Sequence, residues 1–321
     1  MSESYKKMDW VCYLMISNHM WDDEFTPPRY YNMEPIYNPE NINDDTFWEE
    51  IIKFLAEKKY TAVFIDLGDA VIMDKHPEIA AVNAWTKDKF KKLLDKFRAV
   101  GIDPWPRLDF SACHDTWSKD YRFKFTTPEY YTFVEDMIDE VCELFDKPKY
   151  FDIVMDEENF SNQRHRGVAR IRRDNLYWHD VHLMIDRILS HGVRPVMAGD
   201  YFWHHPDLFV ENVPKSVVVR NWYYDFFQDW PEDHYNYPGL HSYKKLDELG
   251  YDQMPTCSTW LRNENPKQTV ANVKKDIAPE RLLGIQTALW AKMEWENEYY
   301  LKNDILQLYL ARKKYMPETL D

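Results

Sequence analysis

Eight short apolar runs, each followed by a segment of helical periodicity, constrain this chain more than any other feature. The runs cover Trp10 to Ile16, Thr61 to Leu67, Ile102 to Phe110, Tyr150 to Met155, Val193 to Ala198, Ser216 to Asn221, Gln253 to Ser258 and Leu282 to Leu289. The segments after them cover Asp44 to Lys59, Thr86 to Val100, Thr127 to Phe145, Asp174 to His191, Pro206 to Val213, His241 to Leu249, Asn265 to Ile277 and Trp295 to Met316. In the first of these, Phe47, Ile51, Ile52, Phe54 and Leu55 recur at helical spacing. The punctuation agrees. Thr86 suits an N-cap, Thr127-Pro128 is a cap followed by a first-turn proline, and Gly101, Gly192 and Gly250 close helices. Strands that alternate with helices predict an α/β protein with parallel strands and right-handed crossovers. Eight such units predict closure into a (β/α)₈ TIM barrel. The competing doubly wound open sheet calls for a Gly-rich phosphate turn after the first strand, and none is present. With only 8 Gly and with its 18 Pro scattered, the chain has no linker, so residues 1–321 read as one domain.

A barrel of this kind builds its active site from residues at the C-terminal ends of its strands. Here every such end carries polar or aromatic side chains: Asn18 and His19 after the first run, Asp69 after the second, and Asp109 with His114 after the third. Asp156, Glu157 and Glu158 follow the fourth run, and Asp200 and Trp203 the fifth. Trp222 and Tyr223 follow the sixth, Trp260 the seventh, and Trp290 and Glu294 the eighth. Carboxylates and amides can bond sugar hydroxyls, and indoles offer flat apolar walls, so the ring predicts a carbohydrate pocket. The fourth end is the sharpest signal, because an apolar run stops abruptly in three acids. Adjacent carboxyls drive each other's pKa values apart, the condition for acid/base chemistry on sugars. A protein-nucleophile mechanism needs two carboxyls about 5–5.5 Å apart, usually from different strands. Neighbouring acids instead suit a reaction in which the substrate's own 2-acetamido group attacks. Asp200 and Glu294 are the alternative nucleophiles, and a sugar-binding barrel without activity is the non-enzymatic alternative.

Other classes fare worse. A net charge of −15 disfavours nucleic acid, and the basic cluster from Arg164 to Arg173 reads as decoration of a loop or helix start. The four cysteines are widely spaced and read as buried free thiols. No metal-binding spacing and no nucleophile elbow occurs, so neither metal nor cofactor is expected. The N-terminus, MSESYKKMDW, lacks an apolar signal core, and no run reaches the roughly 18 apolar residues of a membrane span. These features predict a cytoplasmic protein, exported only if a signal peptide has been removed. Its expected partner is a carbohydrate substrate, with neither nucleic acid nor membrane. A homo-oligomer is compatible with the sequence but is not read from it.

The strand ends resemble those of the catalytic barrel of family 20 glycoside hydrolases, the β-N-acetylhexosaminidases. That family's fourth strand ends Gly-Gly-Asp-Glu, and Val154-Met155-Asp156-Glu157 occupies the slot. Its eighth-strand motif is similar to Gly284-Ile285-Gln286-Thr287-Ala288-Leu289-Trp290-Ala291-Lys292, with Lys292 where the family has an acid and Glu294 two residues on. Pro106-Arg107-Leu108-Asp109 followed by His114 is similar to the third-strand pattern, Trp222 to the sixth-strand Trp, and Ala198-Gly199-Asp200 to the fifth-strand region. The resemblance implies Glu157 as general acid/base, Asp156 as the residue that orients the acetamido group, and His114 as support for Glu157. It departs elsewhere. Asn18-His19 replaces a sugar-binding Arg-His, Asp66 replaces a His, and Trp260-Leu261-Arg262 replaces a Tyr-Leu-Asp whose Tyr holds the acetamido oxygen. The small α/β domain that usually precedes such a barrel has no counterpart before the first strand.

Overall fold

The computed structural model describes residues 5, 7–17, 40–164 and 168–320. The eight strands are β1 (Asp9–Met15), β2 (Ala62–Asp66), β3 (Asp103–Arg107), β4 (Tyr150–Asp152), β5 (Arg194–Ala198), β6 (Val218–Arg220), β7 (Thr256–Cys257) and β8 (Gly284–Ala288). All pair in parallel in the order β6-β5-β4-β3-β2-β1-β8-β7. Bridges at Val219–Gln253 and Trp222–Thr256 join β6 to the β7 segment and close the ring. The protein is a (β/α)₈ barrel. The helices are α1 (Asp45–Glu57), α2 (Lys87–Ala99), α3 (Pro128–Leu144), α4 (Phe160–Gln163), α5 (Asp174–Ser190), α6 (Asp200–His204), α7 (Pro206–Asn212), α8 (Tyr237–Glu248), α9 (Asn265–Asp276) and α10 (Glu298–Tyr315). Asp44, Thr86 and Thr127 cap α1, α2 and α3 by accepting first-turn N–H groups. The short α4 and α6 lie in loops where the sequence shows no helical periodicity. α8 starts four residues before the expected His241, with Pro238 in its first turn.

The pairing registers stack the inward-facing side chains in layers drawn from alternate strands. Val11, Trp105, Val196 and Met254 form an apolar layer near the floor, with Ala62, Tyr150 and Val218 beside them. Above it lie Phe64, Asp152, Arg220 and Gln286, then Tyr13, Arg107, Ala198 and Thr256, all buried. Charge thus enters the barrel interior in its middle layers. Arg220 Nε pairs with Asp152 Oδ2 at 2.7 Å. Arg107 pairs with Asp66 at 3.1 Å and Asp109 at 3.2 Å, and its guanidinium lies 4.6 Å from the centre of the Tyr13 ring.

Two strands depart from the expected lengths for identifiable reasons. β3 carries Pro104 and Pro106, whose positions face β4: Leu108 N–H donates to the Asp152 carbonyl, whereas Asp103 N–H donates to Thr61 on the β2 side. The prolines therefore remove two donors from the β3–β4 ladder. Pairing shrinks to Arg107–Asp152, and lower down an edge-on contact between Trp105 and Tyr150, with ring centres 4.8 Å apart, closes the gap. The apolar run predicts that β4 reaches Met155, but the strand ends at Asp152, because Val154 and Met155 turn into the left-handed region at φ +63° and +60°.

The segment from Arg164 to Arg173 is not a solvated decoration in its described part. Arg170 grips Asp115 with both terminal nitrogens, at 2.6 and 2.7 Å. Arg172 bonds Glu158 at 2.6 Å and Asp180 at 3.2 Å, and all three side chains are buried. Glu158 also accepts the Ala112 N–H at 3.2 Å, so the third acid of the fourth strand end anchors loops. The four cysteines are free and buried. No described helix is long and apolar enough to cross a membrane.

These buried charges should be visible in stability. Asp304 of α10 accepts Thr259 N–H and Thr287 Oγ1–H, both at 2.6 Å, and burial pushes its carboxyl up to about 6 despite those bonds. A folded-state pKa above the unfolded value makes the native state bind the extra proton. Its contribution is present below the unfolded value, at about pH 4, and is lost as pH rises through about 6, with a slope of up to roughly 1.4 kcal/mol per pH unit. In urea denaturation, Asp304→Asn should gain on the wild type between about pH 4.5 and about pH 7.5. A constant difference would show that Asp304 does not titrate there. Glu158→Ala leaves the buried Arg172 with Asp180 as its one carboxylate partner among the described residues and should cost about 3–5 kcal/mol in the same assay. A loss below about 1 kcal/mol would mean the pair contributes nothing net.

Candidate active site

The site forms where the exit of β4 meets those of β3 and β5. Left-handed backbone at a non-glycine residue costs about 1–2 kcal/mol, yet Val154, Met155 and Glu157 (φ +51°) all adopt it. The turn is held from several directions. Val154 N–H donates to Asp152 Oδ1 (2.9 Å), Ala198 N–H to the Val154 carbonyl (2.8 Å), and Tyr177 O–H to the Met155 carbonyl (2.8 Å). Glu157 N–H donates to Asp200 Oδ2 (2.9 Å). The two positions where the sequence resemblance puts glycines thus keep a glycine-like conformation with Val and Met in place. This turn breaks strand alternation and brings both Asp156 and Glu157 to one histidine.

That histidine is His114. Its Nδ1 lies 3.0 Å from Asp156 Oδ1 and 3.2 Å from Asp109 Oδ2, and its Nε2 lies 3.5 Å from Glu157 Oε2. Ser111 Oγ donates to Asp109 Oδ1, and Trp117 Nε1–H donates to the Asp109 carbonyl at 2.7 Å. Burial works against a charged imidazole, but the carboxylates of Asp109 and Asp156 outweigh it and hold His114 well above the usual histidine range. Asp156 is the mirror case. Burial raises it, while His114, then Arg220 and Arg107, bring it below the ordinary aspartate value. The Asp156 side chain is 11% exposed and that of Glu157 33%, so the more open carboxyl is the second one. Asp200 is pushed the other way, well above the carboxylate range, by burial and by repulsion from Asp156 and Glu157. Below them, burial lifts Asp66 to about 7 even beside Arg107.

Across the barrel mouth stands an aromatic wall. Trp222 and Tyr224 stack with ring centres 5.3 Å apart, and Tyr224 meets Trp290 edge-on at 5.0 Å. Trp260 contacts Trp290 at 5.9 Å, and Trp203 contacts Trp222 at 4.6 Å while donating its Nε1–H to Asn221. Burial raises the Tyr224 hydroxyl, and nearby Arg220, Asp156 and Arg107 act on it, which sets Tyr224 between the wall and the acids. Tyr223 points the other way: it is buried in the outer core and donates to the Phe226 carbonyl at 3.0 Å. Alternation along the chain beyond β6 separates the two tyrosines, so the sequence carried the signal for Tyr224.

The remaining predicted residues are spread more widely. Asp69 is buried and accepts Ser17 Oγ–H at 2.8 Å. Glu294 lines a separate depression of about 590 Å³ between the β8 exit and the start of α1, with Trp295, Lys89 and Asp44. Asn18 and His19 lie outside the described residues. Cys113, His114 and Asp156 are close enough to share a metal ion. Burial raises the Cys113 thiol to about 12, and its S–H is directed at the Asp156 carbonyl.

No family model and no curated protein matches the sequence. Solved structures match its fold over nearly the whole chain. A family 20 exo-β-N-acetylglucosaminidase from Vibrio harveyi is 14% identical with a TM-score of 0.60, over 98% of this chain and 58% of that one. A chitobiase from Flavobacterium johnsoniae is 14% identical with a TM-score of 0.62, over 98% and 50%. A β-N-acetylhexosaminidase from Bacteroides fragilis is 12% identical with a TM-score of 0.59, over 98% and 71%. The chain therefore spans half to about seven tenths of these proteins. What they share with it is the barrel: this chain has the fold of the catalytic domain of family 20 glycoside hydrolases.

Proposed function

We propose that the chain is a glycoside hydrolase that releases a terminal sugar, an N-acetylhexosamine, by acid/base catalysis with help from the substrate. The observation that carries this reading is the His114 clasp. One imidazolium holds Asp156 at 3.0 Å and faces Glu157 at 3.5 Å, so two neighbouring acids occupy different environments. Asp156 stays ionised, and Glu157, the more exposed carboxyl, meets the leaving-group oxygen. In this scheme the 2-acetamido oxygen attacks the anomeric carbon while Asp156 orients the amide nitrogen. Glu157 gives its proton to the departing oxygen and then takes one from the incoming water. Trp222, Tyr224 and Trp290 supply the face against which the ring stacks. The shared fold with enzymes named for N-acetylglucosamine supports the same substrate class. A protein nucleophile at Asp200 is less well supported, because its surroundings favour the protonated form, which does not attack carbon.

Glu157→Gln is nearly isosteric and should lower kcat by roughly 10²–10⁴-fold with an unchanged urea midpoint. Near-normal turnover would remove Glu157 from its role. The substrate arm is separate. An aryl N-acetyl-β-glucosaminide should be cleaved and the matching plain glucoside should not, and comparable rates on the two would end the substrate-assisted scheme.

A further inference from the structure

Asp200 is a carboxyl of the site without a part in the reaction above. It follows Gly199, where an added Cβ would sit 3.1 Å from Val219 and 3.2 Å from Asn221, so the β5 exit packs directly on β6. From there the side chain reaches across to the neighbouring strand end, and its Oδ2 takes the Glu157 N–H at 2.9 Å. Glu157 needs such a tie. Its φ of +51° is unfavourable for a side-chain-bearing residue, and conformations of that kind persist only where contacts over-determine them. The Glu157 carbonyl bonds locally, accepting the Asn159 N–H. We infer that Asp200 is a positioning residue: as a hydrogen-bond acceptor it fixes the backbone from which Glu157 presents its carboxyl, a task that requires no charge.

The surroundings agree. Asp156 and Glu157 face Asp200 from the β4 exit, and Tyr177 faces it from α5. Among the described residues no cation pairs with it. An ionised Asp200 would place a further negative charge beside Asp156, whereas a protonated carboxyl still accepts the N–H through its carbonyl oxygen. This assignment rests on Glu157 being the proton donor.

The test compares Asp200→Asn with Asp200→Ala in kcat, KM and pH profile on the aryl N-acetylglucosaminide, together with hydrogen exchange at the Glu157 amide. The carboxamide oxygen can take the same N–H, so Asn should keep kcat within about threefold, with an unaltered pH profile. Alanine removes the acceptor and should lower kcat by about tenfold or more while KM moves less than about twofold. The Glu157 amide should be protected in the wild type and in Asn, and should exchange freely in Ala. An Asn variant as inactive as Ala, or one that loses a limb of the pH profile, would show that Asp200 works as a charged group and overturn the inference. An Ala variant that keeps full activity and a protected amide would overturn it too. Should Glu157→Gln prove active, the functional reading fails on its own, and amide protection alone then decides whether Asp200 holds this backbone.

Discussion

The barrel depends on charge it has buried. Arg107, Arg220, Asp66, Asp109 and Asp152 point inward from the ends of β2, β3, β4 and β6, and all are at most 3% exposed. Each ion loses several kcal/mol of hydration on burial, which only close pairing returns. The Asp152–Arg220 contact therefore fixes β4 against β6, and Arg107 fixes β3 against β2. Asp109 belongs to two sets at once, as a partner of Arg107 and of His114. Through it the interior charges continue upward to Asp156 and Glu157. The acid pair is thus the top of a column rooted in the middle of the barrel, which is how a short, strained strand exit can hold two carboxyls at defined distances from one ring.

The architecture was readable because its signals are local and repeated. Eight apolar runs, three side-chain caps and three closing glycines each act over a few residues, and all agree. The acids were readable for a similar reason, since a run that ends in Asp156-Glu157 announces a strand exit whatever packs around it. What stayed hidden depends on distant partners. Nothing near Arg170 or Arg172 in sequence says that Asp115, Glu158 and Asp180 wait for them. Glu294 follows the eighth strand closely, yet the chain has already crossed toward α1. Tyr224 is an intermediate case, because alternation from Trp222 would have selected it over Tyr223.

The aromatic richness of the chain serves two purposes at once. Trp10, Trp48, Trp105 and Trp117 are fully buried and fill the space within and behind the barrel. Trp203, Trp222, Trp260 and Trp290 touch one another or Tyr224 around the mouth. Composition alone could not separate packing from recognition, because indoles do both with the same apolar face. Position at a strand exit is what separates them.

The prolines of β3 have a mechanical meaning. Backbone bonds between β3 and β4 gather at the upper end, where Leu108 and Phe110 donate to Asp152 and Ile153, while the lower end is joined through Trp105 and Tyr150. The barrel wall therefore has a seam fastened at the rim and only leaned together at the base. The seam changes in kind along its length: backbone hydrogen bonds join β3 to β4 below the turn that carries His114 and Asp156, and packing between two buried rings joins them at the floor.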